Sequence, residues 1–187
     1  MEVRLAQKLT FDSIVDGDGL RMVVWMQGCS HACPGCHNPS THDFNEGFMY
    51  DLEDLKRDIL SVPNQDGITL SGGDPLFQPK ASYEIAKFSK ENGLSVWLWT
   101  GFTFEELMVK AKYNHYIMKL LENVDVLVDG RFEIDKKSMN FKYRGSYNQR
   151  IIDVKKSLEC GRPVIIEKYN KIQTYQKLYQ SEEYIFV

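Results

Sequence analysis

Residues 21–38, RMVVWMQGCSHACPGCHN, decide the reading: an apolar run from Arg21 to Gln27 passes directly into a loop that carries Cys29, Cys33 and Cys36. The run is short and rich in β-branched and aromatic residues, the composition of a buried strand. The loop sets three thiols within eight residues. Eight residues reach at most about 26 Å when extended. Pro34 and Gly35 supply the bend that lets the segment wrap around one centre.

Working outward, a strand followed by a polar loop recurs. Asp51 is placed to cap a helix through about Leu60, with Leu52, Leu55 and Ile59 on one stripe. Gly67–Leu70 reads as a strand that runs into Ser71-Gly72-Gly73-Asp74. Pro79 opens a helix to about Glu91, where Asn92-Gly93 stops it. Leu94–Trp99 is a strand followed by Thr100-Gly101, and Thr103 with Glu106 has the spacing of a capping box. Val124–Val128 is a strand followed by Asp129-Gly130-Arg131. Such alternation predicts a parallel sheet with crossover helices, its site at the C-terminal ends of the strands. Four strand ends then share one mouth.

A complete eight-unit barrel takes about 250 residues, and this chain has 187. The expectation is an α/β fold: a partial, incomplete βα barrel with a mostly parallel sheet open on one side. Residues 1–187 are read as one domain, with 161–187 as a C-terminal extension. Trp97 and Trp99 flank Leu98 and are expected in the core, one indole facing the sheet interior and the other a helix.

Composition is that of an ordinary globular chain: 43% hydrophobic, 26% charged and a formal charge of -3, which excludes the disordered class. Apolar runs such as Val23–Met26 are far shorter than the roughly 20 residues of a spanning helix, so no membrane association is expected. Residues 1–10 (MEVRLAQKLT) lack the apolar core of a secretory signal, which points to the cytoplasm. Residues 131–156 hold 8 basic and 3 acidic side chains, either a solvated face or a basic rim for an anionic partner.

In a reducing compartment, clustered cysteines more often bind metal or perform catalysis than form disulfides. Three arrangements are open. A zinc site of three cysteines with His31 or His37 is one; joined to the basic stretch it would make a zinc-bound nucleic-acid-binding module. A four-iron cluster completed by Cys160, 124 residues beyond Cys36, is another. The third is a four-iron cluster held at three corners, whose open iron takes a small ligand, as catalytic metals do.

The CxxxCxxC spacing of Cys29, Cys33 and Cys36 resembles that of the radical S-adenosylmethionine superfamily, and Ser71-Gly72-Gly73-Asp74-Pro75 resembles its GGE-type loop. Val15-Asp16-Gly17-Asp18-Gly19-Leu20-Arg21 is similar to the D/N-G-P-G-x-R opening of glycyl-radical-enzyme activases. Cys33-Pro34-Gly35-Cys36, Trp97-Leu98-Trp99-Thr100-Gly101, Val126-Leu127-Val128-Asp129-Gly130 and Arg144-Gly145-Ser146-Tyr147-Asn148-Gln149 narrow the likeness to the activating proteins of anaerobic ribonucleoside-triphosphate reductase. It covers roughly residues 8–158. Asp18 stands where Pro is usual, Asp74 where Glu is commoner, and Arg131 where Lys is frequent.

The resemblance implies a [4Fe-4S] cluster on Cys29, Cys33 and Cys36 and S-adenosylmethionine on the fourth iron. Reductive cleavage of the sulfonium would give a 5′-deoxyadenosyl radical, which takes a Cα hydrogen from a glycine of the reductase large subunit. Gly35, His37, Asn38, Ser71, Gly72, Gly73, Asp74, Thr100, Asp129 and Arg131 would contact the cofactor, Asp74 by meeting the methionine ammonium. The cofactor supplies the hard chemistry, so no catalytic side chain beyond these ligands is required. An external donor such as a flavodoxin is expected, and no direct contact with nucleic acid. An activase of the pyruvate formate-lyase type is the neighbouring alternative. The tail after Gly161 has no counterpart in the likeness; its Tyr169, Tyr175, Tyr179 and Tyr184 would suit partner docking.

Overall fold

The computed structural model describes residues 1–170. In chain order the strands are β1 (Glu2–Leu5), β2 (Thr10–Ser13), β3 (Arg21–Met26), β4 (Phe48–Asp51), β5 (Gly67–Gly72), β6 (Ser95–Trp99), β7 (Val126–Asp129) and β8 (Arg150–Asp153). The helices are α1 (Leu52–Ser61), α2 (Pro79–Glu91), α3 (Phe104–Ala111), α4 (His115–Leu121), α5 (Val154–Cys160) and α6 (Glu167–Asn170).

Local chemistry sets the helix ends. Asp51 accepts the Glu53 and Asp54 N–H groups at 2.8 and 3.3 Å, satisfying donors that the first turn of α1 leaves free. Thr103 and Glu106 form the expected capping box of α3. Pro79 opens α2, and Gly93, at φ +78°, follows its C-cap.

The sheet runs β4-β1-β3-β5-β6-β7-β8, with β2 branching from β3. Its centre, β3-β5-β6-β7, is parallel, in the register Met26 to Gly72 and Trp99 to Val128. Both flanks are antiparallel: β1 and β2 on β3, β4 on β1, and β8 on β7. The mostly parallel sheet predicted from the alternation therefore holds for the centre alone. The flanking strands are four residues each, too short for a periodic signal.

One face of the sheet carries Val24, Ile68, Leu70, Val96, Leu98 and Leu127 into a core closed by Leu55, Ile59, Ile85, Phe104, Leu107 and Leu120 of the helices. The other face holds Trp97, Val128, Ile151 and Tyr169, with Trp99 and Tyr143 packed beside them. Trp97 and Trp99 thus share a face, their rings stacked at 5.5 Å, because residues two apart on a strand point the same way. Their expected placement on opposite sides is corrected by that period.

Arg21 is fully buried at the N-terminal edge of the sheet, away from the strand ends that carry the cysteines. Its guanidinium bonds Thr69 Oγ1 at 2.8 Å, Ser95 Oγ at 2.9 Å and the Asp18 carbonyl at 3.1 Å, and burial lowers its pKa to about 10. Asp18, where Pro is usual, accepts the Tyr169 hydroxyl at 2.6 Å and Lys168 Nζ at 3.0 Å. The opening motif thus ties the underside of the sheet to α6.

Cys160 ends α5 as an exposed thiol. Tyr169 belongs to the core; Tyr175, Tyr179 and Tyr184 lie outside the described residues. No helix among the described residues is long and apolar enough to cross a membrane.

Candidate functional site

Because β3, β5, β6 and β7 are parallel, the loops after Met26, Gly72, Trp99 and Asp129 emerge at one edge of the sheet. Glycine lets them approach. Gly73 donates its N–H to the Met26 carbonyl at 2.7 Å, and Asp74 donates to the Gly28 carbonyl at 3.0 Å. A Cβ on Gly73 would stand 2.5 Å from that Gly28 oxygen. Gly28 in turn donates to Thr41 at 2.9 Å, fixing the far side of the cysteine loop. Backbone thus lies on backbone where the first two loops cross.

These loops enclose a cavity of about 100 Å³. Cys29, Cys33 and Cys36 line it together with His37 and Asn38 from the same loop. Ser71, Gly72 and Gly73 form the wall from β5, and Thr100 and Gly101 the wall from β6. His31, His42, Trp99, Gly130, Phe132 and Gln149 complete it. A second cavity of about 530 Å³ adjoins along Gly101 and Gly130, and there Asp129 and Arg131 stand among Thr103, Glu106, Asn148 and Arg150.

Two expected contacts sit elsewhere. Gly35, at φ +74°, faces the side chain of Ile134, which a Cβ would meet at 2.7 Å, so its hydrogen serves close packing of two loops. Asp74 is 1% exposed and turned inward. Its carboxylate accepts Leu76 N–H at 2.9 Å, Gly101 N–H at 2.9 Å, Thr100 Oγ1–H at 2.8 Å and His31 Nε2–H at 2.8 Å. The acid expected to meet a ligand ammonium is occupied by protein donors. Asp129, also fully buried, accepts Phe104 N–H at 2.7 Å and pairs with the Arg150 guanidinium, which also bridges to Glu105. Arg131 is exposed at the cavity rim.

The Arg144–Gln149 stretch braces itself. Arg144 donates to the Gln149 carbonyl at 2.7 Å, while Gln149 Oε1 accepts Gly145 N–H at 2.8 Å and its amide reaches the Gly130 carbonyl at 3.0 Å.

Burial, with added repulsion from Asp74 and the neighbouring cysteines, raises Cys29 to about 11, and burial raises Cys33 as well. Thiols so placed stay neutral on their own and give up their protons when a bound cation compensates the charge. Among the described residues no group of three or more His, Cys, Asp or Glu converges on a single ion. Thiolates that each address a separate iron of a cluster have no need to do so. His31 is engaged by Asp74, and Cys160 is absent from the cavity wall. The donor set therefore fits a cluster with three protein thiolates. His31 was legible only as a conceivable zinc ligand and Gln149 only as the last residue of the Arg144–Gln149 motif; Phe132 carried no signal, since its loop's path is set by tertiary packing.

A family model described as a 4Fe-4S single cluster domain matches residues 15–152. The anaerobic ribonucleoside-triphosphate reductase-activating protein of Pasteurella multocida (strain Pm70) is 37% identical over 150 residues, covering 74% of this chain and 90% of that protein. The protein of the same name from Escherichia coli (strain K12) is 38% identical over 145 residues, covering 73% and 90%. The crystal structure of QueE from Escherichia coli aligns with a TM-score of 0.45 at 15% identity, over 55% of this chain and 53% of that one.

Proposed function

Because the chain belongs to the family of anaerobic ribonucleoside-triphosphate reductase-activating proteins, we propose that it is a radical S-adenosylmethionine activase which places a glycyl radical on such a reductase. The observation that carries this reading is the single cavity into which three thiols and two glycine-bearing strand ends open together. A [4Fe-4S] cluster bound there supplies, when reduced, the electron that splits S-adenosylmethionine.

The chain's own residues hold and orient. Cys29, Cys33 and Cys36 would hold the cluster through their thiolates, three protein ligands that would leave room for the cofactor. Ser71, Gly72 and Gly73 offer backbone and hydroxyl groups at close range, with His37, Asn38 and Thr100 on the adjoining walls. Gly35 shapes the cysteine loop. Arg131 and the buried Asp129–Arg150 pair border the larger cavity, which suits the remainder of the cofactor. Asp74 and Asp129 act from behind the wall. The open sheet is a partial barrel whose free side admits the glycine loop of the reductase large subunit. The exposed cations of 131–142 rim that side. A flavodoxin-type donor delivers the electron, and the cytoplasm keeps the thiols reduced.

Anaerobic reconstitution tests the reading. The wild-type chain is expected to turn brown, bleach on reduction and hold about four irons with matching sulfide. Cys29→Ala, Cys33→Ala and Cys36→Ala each lose this, while Cys160→Ala keeps it. Mixing the chemically reduced, cluster-loaded chain with S-adenosylmethionine and the reductase is expected to yield a glycyl radical by electron paramagnetic resonance, whereas a pyruvate formate-lyase gives none. One zinc without sulfide, or loss of the cluster in Cys160→Ala, overturns the reading.

A further inference from the structure

Asp74 gathers donors from two other loops onto one buried carboxylate. It follows β5; Thr100 and Gly101 follow β6; His31 belongs to the cysteine loop after β3. The His31 side chain is 5% exposed. Its ring stands edge-on to Phe102 at 4.5 Å and near Phe77 at 5.6 Å. Gly101 lies beneath it so closely that a Cβ there would be 2.5 Å from the ring Cδ2. The imidazole therefore has one place to sit. Among the described residues, the His31–Asp74 bond is the one tie from a nitrogen or oxygen donor of segment 30–35 to an oxygen elsewhere in the chain.

We propose that His31 is a positioning residue, clamping the cysteine loop through Asp74 to the Thr100-Gly101 wall so that cluster ligands and cofactor wall keep a fixed spacing. The inference rests on the activase reading of the site. Asp74 is then the clasp of the clamp, which accounts for its inward carboxylate. No proton or electron moves through the pair; its work is geometric. A site held within about half an ångström needs such support behind the groups that touch the ligand.

Three variants test the clamp in the cluster-loaded full chain. His31→Leu keeps apolar bulk and removes the donor. His31→Gln puts an amide N–H near the Nε2 position. Gly101→Ala pushes the ring aside without altering either partner. For His31→Leu and Gly101→Ala, with iron per chain matching the wild type, S-adenosylmethionine affinity should fall about tenfold, the scale of one lost hydrogen bond to a charged group. The resonance spectrum of the reduced cluster should change as well. His31→Gln should restore both to near wild type.

Backbone hydrogen exchange on the full chain as purified requires no cluster. In His31→Leu and Gly101→Ala it should quicken together at 29–36, 72–74 and 100–102. Wild-type affinity and spectrum in His31→Leu, a Gln variant no better than Leu, or faster exchange beside residue 31 alone overturns the clamp. Should His31→Leu fail to fold, Gly101→Ala against His31→Gln decides. A wild-type chain that loads no cluster sinks the activase reading instead, and the exchange pattern still decides whether the three loops are clamped.

Discussion

Replacing Gly73 by Ala is the sharpest single perturbation of the site, because the added methyl meets only main chain. The new carbon would lie 2.5 Å from the Gly28 oxygen, 2.8 Å from its carbonyl carbon and 2.8 Å from the Thr41 oxygen. Ordinary contact begins at 3.4 Å, so the Gly28 carbonyl has to retreat by 0.9 Å. That carbonyl accepts the Asp74 N–H at 3.0 Å, and Gly28 itself donates to Thr41 at 2.9 Å. Overpacking costs about 1–3 kcal/mol and each loosened buried bond about 1 kcal/mol more, roughly 3–5 kcal/mol together. A domain of this size has only about 5–15 kcal/mol to lose. Gly93→Ala is the control: its φ is +78° but nothing lies within 4 Å, so the cost is left-handed strain of about 1–2 kcal/mol. Urea unfolding measures both variants, and iron content after reconstitution shows whether the base of the cysteine loop has moved. A Gly73→Ala chain as stable as Gly93→Ala, with full iron, would refute the argument that backbone crossing sets the geometry of the site.

Two further outcomes follow from the charged groups. Arg21→Met takes the donor from two buried acceptors, Thr69 Oγ1 and the Ile68 carbonyl, and should cost about 2–6 kcal/mol in urea unfolding, at roughly 1–3 kcal/mol per unpaired acceptor, without altering the absorbance per iron bound; a loss below about 1 kcal/mol contradicts the role given to it. The Arg150 guanidinium lowers Glu105 from its ordinary 4.5 to about 2. A folded carboxylate pKa below the unfolded one stabilises above the unfolded value and loses that contribution as pH falls from 4.5 toward 2. With Glu105 largely exposed, the wild type should exceed Glu105→Gln by under about 1 kcal/mol at pH 7 and converge with it near pH 2; a gap that widens on acidification has the wrong sign.

What the sequence discloses is what local chemistry decides. Asp51, Pro79 and the Thr103–Glu106 box announce their helices because each satisfies or omits a donor within its own first turn. The three cysteines and the glycines after Leu70 and Trp99 mark the mouth because parallel strands must deliver their ends together. The flanks stay hidden: β4 and β8 are short pieces whose pairing partners lie dozens of residues away, and α4 has only seven residues in which to show a period. Asp74 shows the other limit. Its place in the loop is legible, but the direction of its carboxylate depends on donors at 31, 100 and 101 that meet it only in three dimensions.

The bond from Tyr169 to Asp18 reaches further than its 2.6 Å. Residues 164–169 are laced beneath the sheet: Asp153 N–H donates to the Val164 carbonyl and Ile166 N–H to the Ile151 carbonyl, both at 2.9 Å, and the Tyr169 ring seals Trp97 at 5.2 Å. A deletion begun at Arg162 would unroof that indole and loosen β8, and the damage would imitate lost affinity for the reductase. Shortening meant to probe the remaining tyrosines has to leave residues 164–170 in place.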